Sequence, residues 1–303
     1  MKNNLIRSFS FYGFVKFYTM KLLKFKFAKF KTNIGGLFLD LQNDGISKSY
    51  AYWGIREQDK HCIIDENLSH GDYVIDCGSN IGGYAKFINN LIGKEGKIIC
   101  IEPDKRNHNI LIKNYEELTC KKEIYFAAMS TNISQAYIKK EKKTNLSKIE
   151  KINYPKENYE IINTINFEYL ISKTSKEELR KFKLIRMDIE GHEIEVLADL
   201  YNHIESFPKL DIIFEVHSEY YNAKKFKDIL LKFKDIYKFD KIITAGGANL
   251  EIITNENLIF EKELFSDGYK RFQYTNIDYE KGIELTLNVP RVLRYVYLKR
   301  VIV

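Results

Sequence analysis

The stretch Val74-Ile75-Asp76-Cys77-Gly78-Ser79-Asn80-Ile81-Gly82-Gly83 decides the fold. An apolar strand ends in an acid and a glycine, a short turn follows, and a helix opens at about Gly82. Gly78 lets the backbone turn tightly and leaves no Cβ between the loop and a ligand, while the helix N-terminus presents unpaired N–H groups. Twenty residues beyond Gly82, the next apolar run ends in Ile101-Glu102-Pro103-Asp104. An acid at the tip of that second strand, here Glu102, stands where a doubly wound α/β fold grips the two hydroxyls of a ribose.

Working outward, short β-branched runs alternate with helical periodicity from Gly71 to about Ile253. That alternation predicts a Rossmann-like, doubly wound α/β domain with a mainly parallel sheet. Strands are expected at Tyr73 to Cys77, Lys97 to Ile101, Ile124 to Ala127, Leu184 to Asp188, Ile212 to Val216 and Lys241 to Thr244. Between them, one helix carries Ile81, Tyr84, Ala85, Ile88 and Leu91 on a single face, and another Ile194, Leu197, Ala198 and Tyr201. Strands such as Ile-Ile-Phe, apolar on both faces, belong to a sheet covered by helices on both sides. Residues Lys139 to Asn158, rich in Lys, Glu and Asn, read as an exposed excursion. No internal repeat is visible. The expected organisation is a basic, aromatic N-terminal extension and lid at residues 1–64, the α/β domain at 65–255, and a C-terminal extension packing on the core at 256–303.

The 303 residues are 45% hydrophobic and 29% charged, enough for a full core. Lys or Arg interrupts every apolar run before the roughly 18 to 20 residues a spanning helix needs, so no integral membrane protein is expected. The four cysteines stand singly, without a Cys-x-x-Cys pair, which suggests neither a zinc site nor a disulfide framework and fits a reducing, cytoplasmic compartment. Ser8 to Val15 is too short and too closely followed by lysines for a secretory signal. The net charge of +7 is unevenly placed: residues 1–31 carry +8 and no acid, leaving the other 272 residues at −1. Any anionic partner therefore concerns the N-terminal arm alone.

The glycine spacing narrows the ligand. A dinucleotide dehydrogenase would use Gly-x-Gly-x-x-Gly to admit a pyrophosphate, but Asn80 holds the second glycine position and the spacing is Gly-x-x-x-Gly. With an acid two residues before Gly78, the loop suits a ligand with an amino-bearing end and no pyrophosphate. S-adenosylmethionine has both features, with Asp76 reaching its amino group directly or through water and Glu102 its ribose. The competing reading is structural, with Asp76 merely capping the helix.

These residues resemble class I S-adenosylmethionine-dependent methyltransferases and, more narrowly, the FkbM-type family. The narrower likeness rests on Ile101-Glu102-Pro103-Asp104, on Leu184-Ile185-Arg186-Met187-Asp188-Ile189-Glu190-Gly191-His192-Glu193-Ile194-Glu195-Val196-Leu197, and on Ile212-Ile213-Phe214-Glu215-Val216-His217. The second segment is similar to the family signature Lys-x-Asp-x-Glu-Gly-x-Glu, with Arg186 in place of Lys and His192 where a small or aromatic residue is commoner. The likeness covers roughly Tyr73 to Glu219. It implies the class I methyltransferase fold, S-adenosylmethionine as cofactor, and O-methylation of a hydroxyl on a sugar, glycan or natural product. Asp76, Gly78, Asn80, Gly82 and Glu102 are the expected cofactor residues. Phe126-Ala127-Ala128-Met129 offers no acid for the adenine amine, so Ala128 and its neighbours are expected to hold adenine by backbone groups and apolar contact.

The rim beyond the fourth and fifth strands carries the chemistry. Asp188 ends an apolar strand and must be paired or solvated at a cleft. Glu190 faces the same side if the strand extends that far, while Glu193 has a bland role in the first helical turn and Glu195 reads as solvated. Asp188, His217 and Glu190 are the expected catalytic residues, with His217 the leading base because its ordinary pKa, about 6.5, suits neutral pH. Two other readings stand beside this one. The same rim could be structural hydrogen bonding, or Asp188, Glu215 and His217, together with Glu190, could ligate a divalent metal, which is not expected.

In residues 1–31 nine aromatic residues interleave with eight basic ones. Such an arm could pack on the core, lie peripherally on the inner membrane face beside a lipid-linked glycan acceptor, or bind RNA, the last not expected. Trp53, in Tyr52-Trp53-Gly54-Ile55-Arg56-Glu57, reads as part of a substrate-side lid. The alternative for the whole chain is a catalytically inactive methyltransferase-like scaffold tethered to membrane or RNA by the arm.

Overall fold

The computed structural model describes residues 8–42, 45–139, 148–150, 159–254 and 258–301. An N-terminal layer comprises α1 (Phe11–Leu22), a hairpin of β1 (Phe27–Thr32) and β2 (Gly35–Asp40), α2 (Gly45–Trp53) and α3 (Gln58–Asn67). The alternating core follows with β3 (Tyr73–Cys77), α4 (Gly83–Ile92), β4 (Lys97–Ile101), α5 (Lys105–Glu116) and β5 (Lys121–Tyr125). A side sheet is built from β6 (Ala128–Met129), β7 (Gln135–Lys139), β8 (Lys148–Glu150) and β9 (Tyr159–Ile165). Next come α6 (Phe167–Ser172), α7 (Lys176–Leu179), β10 (Phe182–Met187), α8 (Glu193–His203), β11 (Asp211–Glu215), α9 (Ala223–Lys232) and β12 (Tyr237–Thr244). The chain closes with α10 (Glu251–Thr254), β13 (Ile259–Ser266), β14 (Tyr269–Thr275), α11 (Tyr279–Leu287) and β15 (Leu293–Arg300).

The central sheet runs β13-β14-β12-β15-β11-β10-β3-β4-β5. From β11 to β5 every pairing is parallel, with Asp76 of β3 opposite Arg186 of β10 on one side and Cys100 of β4 on the other. Every residue of β3, β4 and β11 is buried, as the two-faced apolar runs require. After β3 the chain builds β4 and β5 to one side and then returns to lay β10 on the other. That reversal opens a crevice beyond the carboxyl ends of β3 and β10, where open α/β sheets bind ligands.

Two expectations shift. The third strand occupies Lys121–Tyr125 rather than Ile124 to Ala127, because at the edge of the sheet it pairs on one side only, with Lys121 exposed and the other four residues half-buried, so that it carries no continuous apolar run. The segment beyond 255 does not lie outside the sheet: β15 inserts antiparallel between β11 and β12, and β14 and β13 extend that edge. Of the lysine-rich excursion, Lys139 and residues 148–150 pair as β7 and β8, and the remainder lies outside the described residues.

One face of the sheet is covered by α6, α8 and α9, with Phe167, Leu197, Phe207 and Phe226 in its core. The other is covered by α4, α5 and the N-terminal layer, where Phe17, Phe30, Leu37 and Tyr50 join Val74, Ile88 and Ile98. Asn114 of α5 ties this layer to the loop after β3. Its Oδ1 accepts the Phe38 N–H at 2.7 Å, and its Nδ2 donates to Ile81 O at 2.7 Å and to Phe38 O at 3.0 Å. Among the described residues no helix is long and apolar enough to cross a membrane.

Candidate active site

Two cavities meet at the crevice. The smaller, about 60 Å³, is lined by Gly78, Glu102, Asp104 and Asn107 at one end and by Ala128, Met129 and Ile138 at the other. Glu102 lies just past β4, with its carboxylate taking the backbone N–H of Asn80 at 2.7 Å and that of Asp104 at 2.9 Å. Burial pushes its carboxyl up to about 7 in spite of those bonds. Asn80 tolerates the left-handed backbone it adopts (φ 51°), and its side chain bonds the Ile81 N–H. The donor set of a carboxylate for a diol, then an apolar wall beside Ala128, fits the adenosyl half of S-adenosylmethionine.

Gly78 makes the tight turn read in the sequence and lines both cavities, and the glycines also meet protein neighbours that the sequence did not show. A Cβ on Gly78, which sits at φ 79°, would lie 2.2 Å from the carbonyl oxygen of Asp188, and one on Gly82 would meet Leu111 at 2.9 Å. Both keep the loop close to its own protein neighbours rather than to a ligand alone. Asp76 lines neither cavity. Its Oδ1 takes Arg186 Nη1 at 2.8 Å, and the carboxylate is fully buried. Asp76 thus forms an ion pair that braces the loop, since Arg186 also donates to Gly78 O at 2.9 Å and, through Nη2, to Asp188 Oδ2 at 2.7 Å.

The larger cavity, about 500 Å³, shares Gly78, Asn80, Asp188 and Glu190 with the smaller one. β10 ends at Met187, so Asp188 stands just past the strand and Glu190 occupies a turn in which it and Gly191 are both left-handed (φ 54° and 98°). A Cβ on Gly191 would lie 2.8 Å from the Cβ of Tyr220, which explains the glycine of the Glu-Gly pair. Burial, reinforced by Asp188 and Glu215 and opposed by His217, pushes the Glu190 carboxyl up to about 7.

His217 departs from its expected role. Its Nδ1 lies 3.2 Å from Oε1 of the fully buried Glu193, and Nε2 stands 3.6 Å from Glu190 and 3.7 Å from Glu215. Burial alone would lower its pKa, but these carboxylates, Glu193 foremost, raise it to about 10. The three carboxylates favour the imidazolium over the neutral ring, which makes His217 a poorer base than its ordinary pKa suggests. Glu193 is thus the buried partner of this cation and also accepts the Ile189 N–H, not a residue explained by the helix dipole. Glu195 is ion-paired to Lys225 at 2.9 Å rather than freely solvated.

The cations of the rim come from distant segments and have no local sequence signal. Lys60 of α3, 1% exposed, places Nζ 2.9 Å from Asp188, 3.2 Å from Glu57 and 3.7 Å from Glu215, beneath the rings of Tyr84 and Tyr295. Together with Arg186 it holds the Asp188 carboxyl well below the ordinary range although burial acts in the opposite sense. Arg294 of β15 reaches Glu215 at 2.7 Å and Glu57 at 3.4 Å, and Arg291 stands 3.5 Å from Glu215. Arg56 and Glu57 line the larger cavity, whereas Trp53 of the same expected lid does not.

Among the described residues, two sets of side chains bring metal-ligating atoms together at this rim. Asp188, Glu190 and His217 can bring one ligand atom each within 4.8 Å of one another, as can Glu57, Asp188 and Glu215. In the first set His217 turns Nδ1 to Glu193 at 3.2 Å and Nε2 toward Glu190 at 3.6 Å, and in the second Lys60 stands 2.9 Å from Asp188 and 3.2 Å from Glu57. The first set lies within the four rim residues read from the sequence, and the second adds Glu57.

A doubly wound sheet with a buried acid just past β4 and a charged crevice at its reversal point has the architecture of the Rossmann-like class. Residues 76–240, more than half of the chain, match the methyltransferase FkbM domain, and the chain belongs to that family of S-adenosylmethionine-dependent methyltransferases. A comparison with curated proteins gave no match. Among solved structures, the chain is similar to an S-adenosylmethionine-dependent O-methyltransferase from Thermotoga maritima (10% identity, 91% of this chain and 86% of that one, TM-score 0.37). It is also similar to precorrin-6y C5,15-methyltransferase from Geobacter metallireducens (11%, 81% and 90%, 0.37) and to fibrillarin from Aeropyrum pernix with bound S-adenosylmethionine (8%, 72% and 74%, 0.34). At such values these likenesses carry no argument about the acceptor, and the fold is read from the strand order itself.

Proposed function

We propose that the protein O-methylates a hydroxyl group of a carbohydrate, with Glu190 as the general base. The observation that carries this reading is the position of Glu190, on the shared wall of the two cavities, where a donor in the smaller and an acceptor in the larger would meet. S-adenosylmethionine, when bound, supplies an electrophilic methyl group. Glu102 accepts hydrogen bonds from the ribose hydroxyls, and Ala128 and Met129 cover adenine. Glu190, poised near neutral pH, takes the acceptor proton as its oxygen becomes nucleophilic. His217, Lys60 and Arg294 balance the carboxylates around Glu190, which faces both cavities. Alignment of the reacting groups supplies most of the acceleration.

A polyol suits the larger cavity because its wall alternates donors and acceptors. Arg56, Arg291 and Arg294 interleave with Glu57, Glu215 and Glu219, and hydroxyl groups can bond to both kinds. The test is incubation with methyl-labelled S-adenosylmethionine and a panel of glycans and matched amines, with the product read by carbon NMR. An O-methyl resonance from the wild type, lost in Glu190→Gln, is the expected result. Label on nitrogen, or undiminished transfer by Glu190→Gln, overturns it.

A further inference from the structure

We propose that α1 and the segment leading into β1 form a docking surface for an anionic phospholipid bilayer. α1 packs inward through Gly13 and Phe17. Gly13 is held so close to α2 that a Cβ there would lie 1.9 Å from the carbonyl oxygen of Ala51. On the outer side Phe11, Val15, Tyr18 and Leu22 recur at i, i+4, i+7 and i+11, all exposed, so the apolar stripe of this helix faces water. Phe11, Tyr12 and Leu22 are 71%, 73% and 82% exposed, and Leu23 and Phe25 continue the patch toward β1. Contiguous apolar surface of this kind marks a binding face.

Charge identifies the occupant. Residues 8–39 contain six lysines and no acid. Lys21, Lys24, Lys26 and Lys31 are exposed and make no ion pair among the described residues. Two copies of this face would bring lysine against lysine, whereas an anionic headgroup layer neutralises the lysines while its acyl boundary buries the aromatic rings. Val15, Leu22 and Leu23 interrupt the exposed rings with aliphatic side chains that suit an acyl boundary and on which a base cannot stack, and this favours lipid over nucleic acid. α2, on which α1 rests, sends Ile46 and Tyr50 into the larger cavity. Docking would therefore hold that cavity about one helix diameter, roughly 10 Å, from the lipid surface. A lipid-linked acceptor follows from this only if the function proposed above is right; the docking itself does not depend on it.

The experiment is co-sedimentation of the full chain with vesicles of phosphatidylcholine, alone and mixed with phosphatidylglycerol, without donor or acceptor. Binding to the mixed vesicles only is expected. Each Lys→Glu replacement at 21, 24 or 26 should weaken partitioning about fivefold or more, and Phe11→Ala with Leu22→Ala by roughly tenfold or more. Far-ultraviolet circular dichroism and donor binding should be unchanged in these variants, which separates a lost surface from a lost fold. Absence of sedimentation with mixed vesicles, retention by the lysine variants, or a self-associated species that the Phe11 and Leu22 changes dissolve would each overturn the proposal. So would an RNA that binds the wild type while the mixed vesicles do not.

Discussion

Arg186→Lys keeps the charge of the signature arginine and removes its fork. The guanidinium makes three bonds at once, to Asp76 Oδ1 (2.8 Å), Gly78 O (2.9 Å) and Asp188 Oδ2 (2.7 Å), and its carbon lies 4.0 Å from the centre of the Tyr84 ring. An ammonium on a shorter, unforked stem cannot span the two carboxylates. Losing one charge-assisted bond costs about 1.5–3 kcal/mol, and the lost stacking about 0.5–1 kcal/mol more. The expected destabilisation is thus about 2–4 kcal/mol, a large part of the roughly 5–15 kcal/mol that holds a domain folded. Arg186→Met goes further: Asp188 keeps Lys60, but the fully buried Asp76 loses its ion-pair partner, for about 3–5 kcal/mol. Adding Asp76→Asn removes that stranded charge, so the double variant should be more stable than Arg186→Met alone, with a coupling of about 1 kcal/mol or more. Urea unfolding at constant slope measures all three, and calorimetric titration with S-adenosylmethionine reports whether the Gly78 loop has moved. An Arg186→Lys midpoint equal to that of the wild type, or strictly additive single and double variants, would refute the idea that this fork braces the site.

Three further outcomes follow from the site. Because Glu190 is active as the carboxylate and its carboxyl is pushed up to about 7, kcat/KM should rise as pH increases through 7; Glu190→Gln should flatten that limb and lower kcat by about 10²–10⁴. Glu102 is pushed up to about 7 by burial, so donor affinity measured by calorimetry should strengthen as pH rises through 7, and Glu102→Ala should weaken it by roughly ten- to a hundredfold at pH 8 and abolish the pH dependence. The raised pKa of His217 makes its contribution to stability complete below about 6.5 and lost as pH rises toward about 10; thermal unfolding of His217→Gln should be destabilised near pH 6 and lack that decline, and a wild-type midpoint independent of pH between 7 and 10 would count against the imidazolium.

The parts of the fold that could be read from the residues are those with one local cause. β3 and β4 are apolar on both faces and lead into an acid and a turn, so both their bounds and the place of Glu102 at the crevice follow from a few neighbouring positions. β15 could not be read this way. Leu293-Arg294-Tyr295-Val296-Tyr297-Leu298-Lys299-Arg300 looks like a basic tail, yet its apolar middle pairs with β11 and β12 while Arg294 turns to Glu215 at the rim. The same division holds in the site. The carboxylates at 188, 190 and 215 and the imidazole at 217 are visible because each ends a strand or follows one closely. Their counter-charges are not, since a buried acid demands a cation without saying where in the chain it lies.

α3 carries this point furthest. Gln58, Asp59, Lys60 and His61 are all buried, in a helix whose composition gives no apolar stripe. Lys60 is met by Asp188 from beyond β10, Asp59 by Arg271 of β14 at 3.2 Å and by Ser266 of β13 at 2.6 Å, and His61 stacks on Tyr84 of α4. Each partner belongs to a segment on the far side of an expected domain boundary. A polar helix can be buried here only because three distant pieces of chain meet it with matched charge, and pairing of that kind costs several kcal/mol when one member is removed. The catalytic rim and the joint between the N-terminal layer, the parallel core and the C-terminal strands are therefore one ion network, in which Lys60→Met should loosen the site and the fold together.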